Sequence, residues 1–216
     1  MFFPIYLNLT GKRVVVIGGG DVAERKVASL SGMGAEITLI SPDVTAELLS
    51  LSKSNAISWQ KRSYVRGDCA GATLVFSATD DPAISRAVWE EATTAGILIN
   101  TADQPSMCDF IMPAVVRRGE LAVAISTGGA SPALAATLRE KLSGMFGPEY
   151  EELVEILSHA RPEIQRRFQD DRDRKALHYR ILASNLIGLL KRHDREAAER
   201  LLREIIEDFA CQEKTR

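Results

Sequence analysis

The sequence predicts an α/β fold in which a doubly wound parallel sheet is followed by a β-hairpin with a helix, and then by helices alone. Three observations predict it. A continuous apolar run, Val14 to Ile17, enters three glycines and leaves as a helical pattern. Next, β-rich runs alternate with helical patterns as far as Ile99, which is typical of a parallel sheet covered by helices. After Pro105 the alternation stops, so a Rossmann-type domain is predicted ahead of smaller regions.

Glycines and capping residues mark the ends of the elements in this sheet. Gly34 is expected to close the first helix, and Asp43 is a candidate cap of the second. Asp80 or Asp81 is expected to cap the third, with Pro82 in its first turn. The predicted elements are strands at residues 14–17, 36–40, 57–60, 73–77 and 97–99, and helices at 21–33, 44–51 and 83–95.

The second half of the chain begins with a hairpin pattern. Two β-rich runs, Phe110–Val116 and Leu121–Ile125, flank a loop that contains a glycine. Ser131 is expected to cap the next helix, with Pro132 at its first position and an end near Ser143. Apolar spacing predicts further helices at residues 149–168, 173–191 and 195–209. The predicted domains are residues 1–112 (nucleotide binding), 113–147 (hairpin and helix) and 148–216 (helical).

The hairpin predicts a homodimer. An isolated two-stranded hairpin is marginally stable in water, and both strands of this one are apolar. Pairing with the same hairpin of a second copy gives a self-complementary contact about a two-fold axis. We therefore expect residues 113–147 to be a dimerisation region.

Length and composition exclude several classes. The chain has 216 residues, 45% of them hydrophobic, and a formal charge of −2, which gives no global argument for nucleic acid or an anionic membrane. No run has the length of a membrane span, and the first residues lack the charged region of a signal peptide. Three scattered cysteines form no disulfide framework, and the histidines share no helix face. No metal site is predicted, and the protein is expected in the cytoplasm.

The glycine turn predicts a dinucleotide site. Gly18, Gly20 and Ala23 fill the G-x-G-x-x-G/A spacing. The first glycine permits a tight turn, the second lets the backbone approach a pyrophosphate, and the alanine lets the helix pack close to the strand. The helix that begins with Asp21 and Val22 then directs its N-terminal amides toward the phosphates.

The edge of the sheet favours NAD as the cofactor. A ribose-binding acid is expected at the end of the second strand, where the sequence has Ser41, Pro42 and Asp43. The residues leave open whether Asp43 binds the ribose or only caps a helix. No arginine or lysine in residues 27–52 is available to hold a 2′-phosphate, so NAD is favoured over NADP. Thr79 follows a central strand and is placed to contact a cofactor ribose.

Two further groups of residues are candidates for the substrate side. Asn100 and Asp103 leave the last strand of the sheet at the same edge, so Asp103 is a candidate neighbour of the nicotinamide. Its location alone favours the commoner role of forming a turn before Pro105. Met112 lies near the start of the first predicted hairpin strand, and the loop after the hairpin offers backbone amides for an anion. A solvated turn is the alternative for that loop, which consists of Ser126, Thr127, Gly128 and Gly129.

Together these motifs resemble a known family. VIGGGDVAERK, SATDD, INTADQP, FIMPA and STGGASPALA look like the precorrin-2 dehydrogenase/sirohydrochlorin ferrochelatase family, which includes free-standing enzymes and the N-terminal part of siroheme synthases. The motifs cover roughly residues 1 to 145 in order and spacing. The helical remainder is similar in architecture more than in sequence.

The resemblance implies NAD-dependent oxidation of precorrin-2 to sirohydrochlorin by a homodimer, a step of siroheme biosynthesis. Some members also insert Fe2+, and the resemblance does not fix whether this chain chelates Fe2+ or Co2+. The family's key aspartate falls at Asp103, for which we expect an orienting role in oxidation and proton acceptance in any chelation. Asn100, Met112 and the loop at residues 126–129 are the implied substrate-binding residues. A modified or substrate-gating serine of the family has Thr127 at its place here, beside Ser126, and the resemblance leaves open whether either residue is regulatory.

The alternative from another class is a non-catalytic module that senses a dinucleotide and regulates a partner. The long polar-faced helical region would suit such a module. The hairpin, FIMP and STGGASP motifs would have no purpose in it, so the dehydrogenase is favoured.

Overall fold

The structure, a computed structural model, describes residues 2–213 and divides into two compact units with a boundary between Met112 and Pro113. Within these described residues, the first unit contains a five-stranded sheet, and the second contains a hairpin and five helices. The finer, three-part division predicted from the sequence stays a prediction.

The sheet of the first unit is parallel throughout. Its strands lie in the order β3-β2-β1-β4-β5, where β1 is Arg13–Ile17, β2 Glu36–Ile40, β3 Ser58–Gln60, β4 Leu74–Ser77 and β5 Leu98–Thr101. Three helices connect consecutive strands: α1 (Asp21–Leu30), α2 (Ala46–Lys53) and α3 (Pro82–Thr94). This order, with two crossovers on one side of β1 and one after β4, confirms the doubly wound fold.

The central strand β1 explains why the glycine turn is fixed in place. Val14 and Val16 are completely buried on the face packed with α1, and Val15 is completely buried on the opposite face. A strand covered on both faces is read in sequence as a continuous apolar run. The end of β1 therefore holds the following turn against a rigid core.

Two helices of this unit differ from their predicted bounds. The first ends at Leu30 and not at Met33, because Gly32 already adopts a left-handed conformation with φ +73°. The second begins after Thr45, whose hydroxyl accepts a hydrogen bond from the Leu48 amide at 3.3 Å. The prediction that Asp43 caps this helix was therefore wrong.

The strand predicted at Phe110–Val116 was wrong in its first half. The Phe110 ring packs edge-on against Phe76, with centroids 5.4 Å apart, so this residue belongs to the core of the first unit. The hairpin of the second unit comprises β6 (Ala114–Arg118) and β7 (Leu121–Ile125), paired antiparallel.

The rest of the second unit is helical. Its helices are α4 (Pro132–Met145), α5 (Glu149–Arg167), α6 (Asp171–Leu182), α7 (Leu186–Leu190) and α8 (Arg195–Glu213). The single helix predicted at 173–191 was wrong, since α6 and α7 are separated at Ser184, whose hydroxyl donates to the Ile181 carbonyl at 2.6 Å. In the described part of the chain, no helix is both long and apolar enough to cross a membrane.

Candidate active site

The turn after β1 can be made only by glycine at its first position. Gly18 has φ +113°, and a Cβ there would overlap the carbonyl oxygen of Ala78, the residue that follows β4. Its amide donates to the Ile40 carbonyl at 2.9 Å. Gly18 therefore joins the ends of three adjacent strands at the edge where doubly wound folds bind their ligands.

The middle glycine has a role that the spacing motif does not contain. A Cβ on Gly19 would overlap the Asp43 carbonyl oxygen and lie 2.8 Å from the Ser41 hydroxyl. The Gly19 carbonyl also accepts a hydrogen bond from the Thr45 amide at 3.0 Å. Gly19 thus holds the segment after β2 against the turn. The signal available in the sequence was the third consecutive glycine itself.

The start of α1 is left open. Gly20 is its N-cap residue, no side chain caps the helix there, and a Cβ at Gly20 would meet nothing within 4 Å. The first turn is Asp21, Val22 and Ala23, of which Ala23 is completely buried against the sheet. The amides of an uncapped first turn are donors for an anion, and the open space at Gly20 would admit one.

The segment after β2 lies beside this turn. Ser41 is buried, its hydroxyl donates to the Asp43 carbonyl at 2.7 Å, and its own carbonyl accepts from the Trp59 indole at 3.0 Å. Pro42 and Asp43 are exposed. Because Thr45 caps α2, the Asp43 carboxylate does not cap this helix.

The segment after β4 completes this side of the site. Thr79 is half-buried, and its hydroxyl accepts from the Asp81 amide at 3.3 Å. The Asp81 carboxylate accepts from the amides of Ala83 and Ile84 at 2.8 and 3.2 Å, which confirms Asp81 as the cap of α3. The structure therefore brings Thr79, the glycine turn and the Ser41–Asp43 segment to one edge.

Asp103 lies on a loop that closes on the end of β5. It is exposed and has φ +55°, a left-handed conformation that aspartate adopts more readily than most residues. The Cys108 thiol accepts from the Thr101 amide at 3.2 Å, and the Thr101 and Gln104 carbonyls lie 3.2 and 3.3 Å from the sulfur as acceptors. The buried Thr101 hydroxyl oxygen has no hydrogen-bond partner. The loop is thus held at its base and presents Asp103 at its tip.

Asn100 is bonded within the protein, and its main partner was missed by sequence reasoning. The Lys26 ammonium donates to its Oδ1 at 3.0 Å, and its Nδ2 donates to the Phe110 carbonyl at 2.9 Å. Burial is the main cause that lowers the pKa of Lys26. The sequence did carry a signal, since Lys26 falls at inward-facing spacing with Ala23 and Val27 on α1.

The second unit carries the predicted glycine loop. The Thr127 hydroxyl donates to the Ser131 carbonyl at 3.1 Å and accepts from the Ser131 amide at 3.0 Å. The Ser126 hydroxyl accepts from the Gly128 amide at 3.0 Å. Gly128 and Gly129 are left-handed and open to solvent, and Ser131 caps α4 as predicted. Met112, at the end of the first unit, is 40% exposed.

No group of histidine, cysteine and acidic side chains among the described residues has the arrangement of a metal site. One open cavity of about 480 Å³ lies within the helical unit and is lined by Arg161, Gln165, Asp171, Arg174, Lys175, His178, Tyr179 and Leu182. None of these residues was predicted to act in the site.

An uncapped helix start beside a glycine turn defines the class: a dinucleotide-binding protein. Family models agree along the chain: putative NAD(P)-binding at residues 5–114, sirohaem biosynthesis protein central at 118–145, and sirohaem synthase dimerisation region at 149–206. The chain belongs to the precorrin-2 dehydrogenase/sirohydrochlorin ferrochelatase family, as its motifs predicted.

Individual relatives agree with this membership. The chain is 35% identical over 206 residues (95% of its length) to the siroheme synthase of Nitrosococcus oceani, and 35% identical over 201 residues (93%) to siroheme synthase 1 of Aeromonas salmonicida. It spans 44% and 43% of those proteins, less than half of each. A solved structure described as SirC, precorrin-2 dehydrogenase, matches with a TM-score of 0.74 and 27% identity, over 96% of this chain and all of that one.

The cofactor of this site is NAD, and the residues present fit it. The open space at Gly20 and the uncapped turn at Asp21–Ala23 would receive the pyrophosphate. The Ser41–Asp43 segment and Thr79 border the same edge, where the riboses of a dinucleotide lie in this fold. Their individual contacts to the cofactor stay predictions.

Proposed function

We propose that this protein oxidises precorrin-2 to sirohydrochlorin with NAD. The observation that carries the proposal is the likeness to a precorrin-2 dehydrogenase over 96% of this chain and the whole of that one. The siroheme synthases support it less directly, because this chain corresponds to under half of each. In the reaction a ring carbon of the substrate loses a hydride and the macrocycle loses a proton. NAD supplies the acceptor for that hydride.

The first unit provides the cofactor side in this proposal. The glycine turn and the start of α1 bind the pyrophosphate, and the exposed Asp43 binds the ribose hydroxyls of the adenosine. A carboxylate at that place would repel a 2′-phosphate, which agrees with NAD as the cofactor. Thr79 contacts the second ribose.

Asp103 orients the substrate in this proposal. Its carboxylate accepts hydrogen bonds from pyrrole N–H groups and holds the reacting carbon in line with the cofactor. The exposed loop tip supports this role, because the side chain is free to meet a ligand while the loop base is fixed by Cys108. Met112 contacts the substrate, and the amides of the loop at residues 126–129 bind carboxylates of the macrocycle. Asn100 is buried and bonded to Lys26 and Phe110, so it acts on the substrate only through the Asp103 loop.

We further propose that the active form is a homodimer in the cytoplasm. The match to a dimerisation region over residues 149–206 supports the dimer. So do the exposed apolar side chains of the hairpin and α4, which include Val115, Leu134 and Leu138. Insertion of Fe2+ into sirohydrochlorin is a second activity to assay, in which Asp103 would accept the pyrrole protons that the metal displaces.

The test is turnover of precorrin-2 with NAD by the purified protein, followed through NADH formation and the sirohydrochlorin spectrum. Asp103→Asn keeps a residue that tolerates the left-handed conformation, and we expect it to lower kcat by roughly 10- to 100-fold. Asp80→Asn is the matched control, an exposed carboxylate of the same edge, and should leave kcat unchanged. Absence of wild-type turnover contradicts the proposed function, and NAD binding without turnover would favour a sensing module. Full activity of Asp103→Asn contradicts the role of Asp103.

A further inference from the structure

We infer that Lys26 is a positioning residue of the site, which fixes Asn100 and thereby the loop that carries Asp103. The inference rests on the proposed function. Through its hydrogen bond to Asn100, Lys26 connects helix α1, which starts at the cofactor turn, to the loop that carries Asp103. Neither the spacing motif nor the family models assign Lys26 a role.

Lys26 occupies a place on α1 where an apolar residue is expected. The inward face of this helix is formed by Ala23, Val27 and Leu30, which are all buried, and Lys26 falls on the same face. Its ammonium nitrogen lies 5.5 Å from the centroid of the Phe76 ring. Among the described residues, no carboxylate lies within ion-pair distance of it. A half-buried charge with only a neutral acceptor and a ring face is poorly compensated, so stability does not explain it.

The hydrogen bond from Lys26 decides which way the Asn100 amide points. An ammonium group can only donate, so the oxygen of Asn100 must face α1, where it lies 3.0 Å from the Lys26 nitrogen. The amide nitrogen is then directed toward the Phe110 carbonyl, 2.9 Å away. A reversed amide would bring donor against donor at α1 and acceptor against acceptor at Phe110.

That orientation ties both sides of the Asp103 loop together. Asn100 lies in β5 just before the loop, and Phe110 lies just after it. The Asp109 amide donates to the Ile99 carbonyl at 2.8 Å, and its carboxylate accepts from the Ile99 amide at 3.0 Å. The bond from Asn100 to Phe110 extends this pairing toward the loop, so Lys26 acts on Asp103 through the loop base.

An electrostatic interaction is a second connection between Lys26 and Asp103. Burial and the neighbouring Arg25 lower the pKa of Lys26, whereas the electrostatic effects of Cys108 and Asp103 raise it. The negative charge of Asp103 therefore favours the charged form of Lys26 from across the loop. Removing the ammonium group would loosen the loop and leave the cofactor turn intact.

The test is Lys26→Met, with Arg25→Met as the matched control. Arg25 is exposed on the same helix, and the one hydrogen bond of its side chain to the described residues is donated to the Asp21 carbonyl. We expect Lys26→Met to lower kcat with precorrin-2 and NAD by roughly 10- to 100-fold, as misplaced catalytic groups do. Its Kd for NAD should stay within about threefold of the wild type, and its Tm should be unchanged or higher, because a desolvated charge is gone. Arg25→Met should match the wild type.

A second variant tests the route through Asn100. If Lys26 acts through that side chain, Lys26→Met combined with Asn100→Ala should be no slower than the slower single variant, because the two effects are not independent. Multiplying effects would overturn the inference, as would wild-type kcat in Lys26→Met or a loss of kcat that accompanies a lower Tm. Wild-type turnover with an unaffected Lys26→Met overturns this inference alone, whereas absent wild-type turnover overturns the proposed function with it.

Discussion

Helices α1 and α3 begin at the same edge of the sheet, after the neighbouring strands β1 and β4. A side chain caps the first turn of α3, whereas none caps the first turn of α1. At α3 the Asp81 carboxylate accepts from two first-turn amides. At α1 the N-cap residue is Gly20, and no side chain takes that place. A capping side chain contributes about 1 kcal/mol. We infer that α1 gives up this stabilisation to keep its amides free for a phosphate, whereas α3 serves only the fold.

The largest effect is expected when the turn before α1 is blocked. Gly18→Ala places a Cβ on the Ala78 carbonyl in a left-handed backbone, and we expect the free energy of unfolding to fall by about 3 kcal/mol, with loss of NAD binding. Chemical denaturation and a binding titration measure the two. Gly11→Ala is the control, since Gly11 is also left-handed (φ +65°) but has open space around it. It should cost about 1 kcal/mol, and equal losses at both glycines would contradict the close approach.

The second-largest effect is expected when a capping side chain is added to α1. Gly20→Asp gives α1 the cap that α3 has, in space that is open. We expect the free energy of unfolding to rise by about 0.5 kcal/mol because the carboxylate caps the helix and favours its positive end. NAD affinity should fall at least roughly tenfold, about 1.4 kcal/mol, because the carboxylate repels the pyrophosphate. Unchanged affinity in a calorimetric titration would mean that the phosphates lie elsewhere.

The smallest effect is expected at the capped helix. Asp81→Ala removes the acceptor of the Ala83 and Ile84 amides, so stability should fall by about 1 kcal/mol. NAD affinity should be within about twofold of the wild type, because this cap does not serve the ligand in our account. A drop in affinity as large as that of Gly20→Asp would remove the distinction between the two helices.

The parts predicted correctly from the sequence are those encoded by neighbouring residues. The buried run of β1, the Gly18 turn and the caps at Asp81 and Ser131 each depend on a few consecutive side chains. Their patterns also agree with the order of the sheet, in which strand–helix alternation leaves few alternatives. The conformation of the glycine turn was therefore predictable from the sequence, whereas its contacts to a dinucleotide stay a prediction.

The parts that were missed depend on contacts between distant segments. Asp43 is a plausible cap by sequence, but Thr45 takes the role because the Gly19 carbonyl binds its amide. Lys26 bonds Asn100, 74 positions away, and only its inward-facing spacing hinted at this. The break at Ser184 was missed for a different reason, because it involves a local hydrogen bond to the Ile181 carbonyl that the apolar spacing does not reveal.

Backbone amide NMR during an NAD titration tests the central claim most directly, because it observes both helix starts at once. We predict large shifts for the amides of Asp21, Val22 and Ala23, and much smaller shifts for those of Ala83 and Ile84, which already donate to the Asp81 carboxylate. The result that would contradict it is the reverse: α1 amides unchanged at saturating NAD while the start of α3 responds.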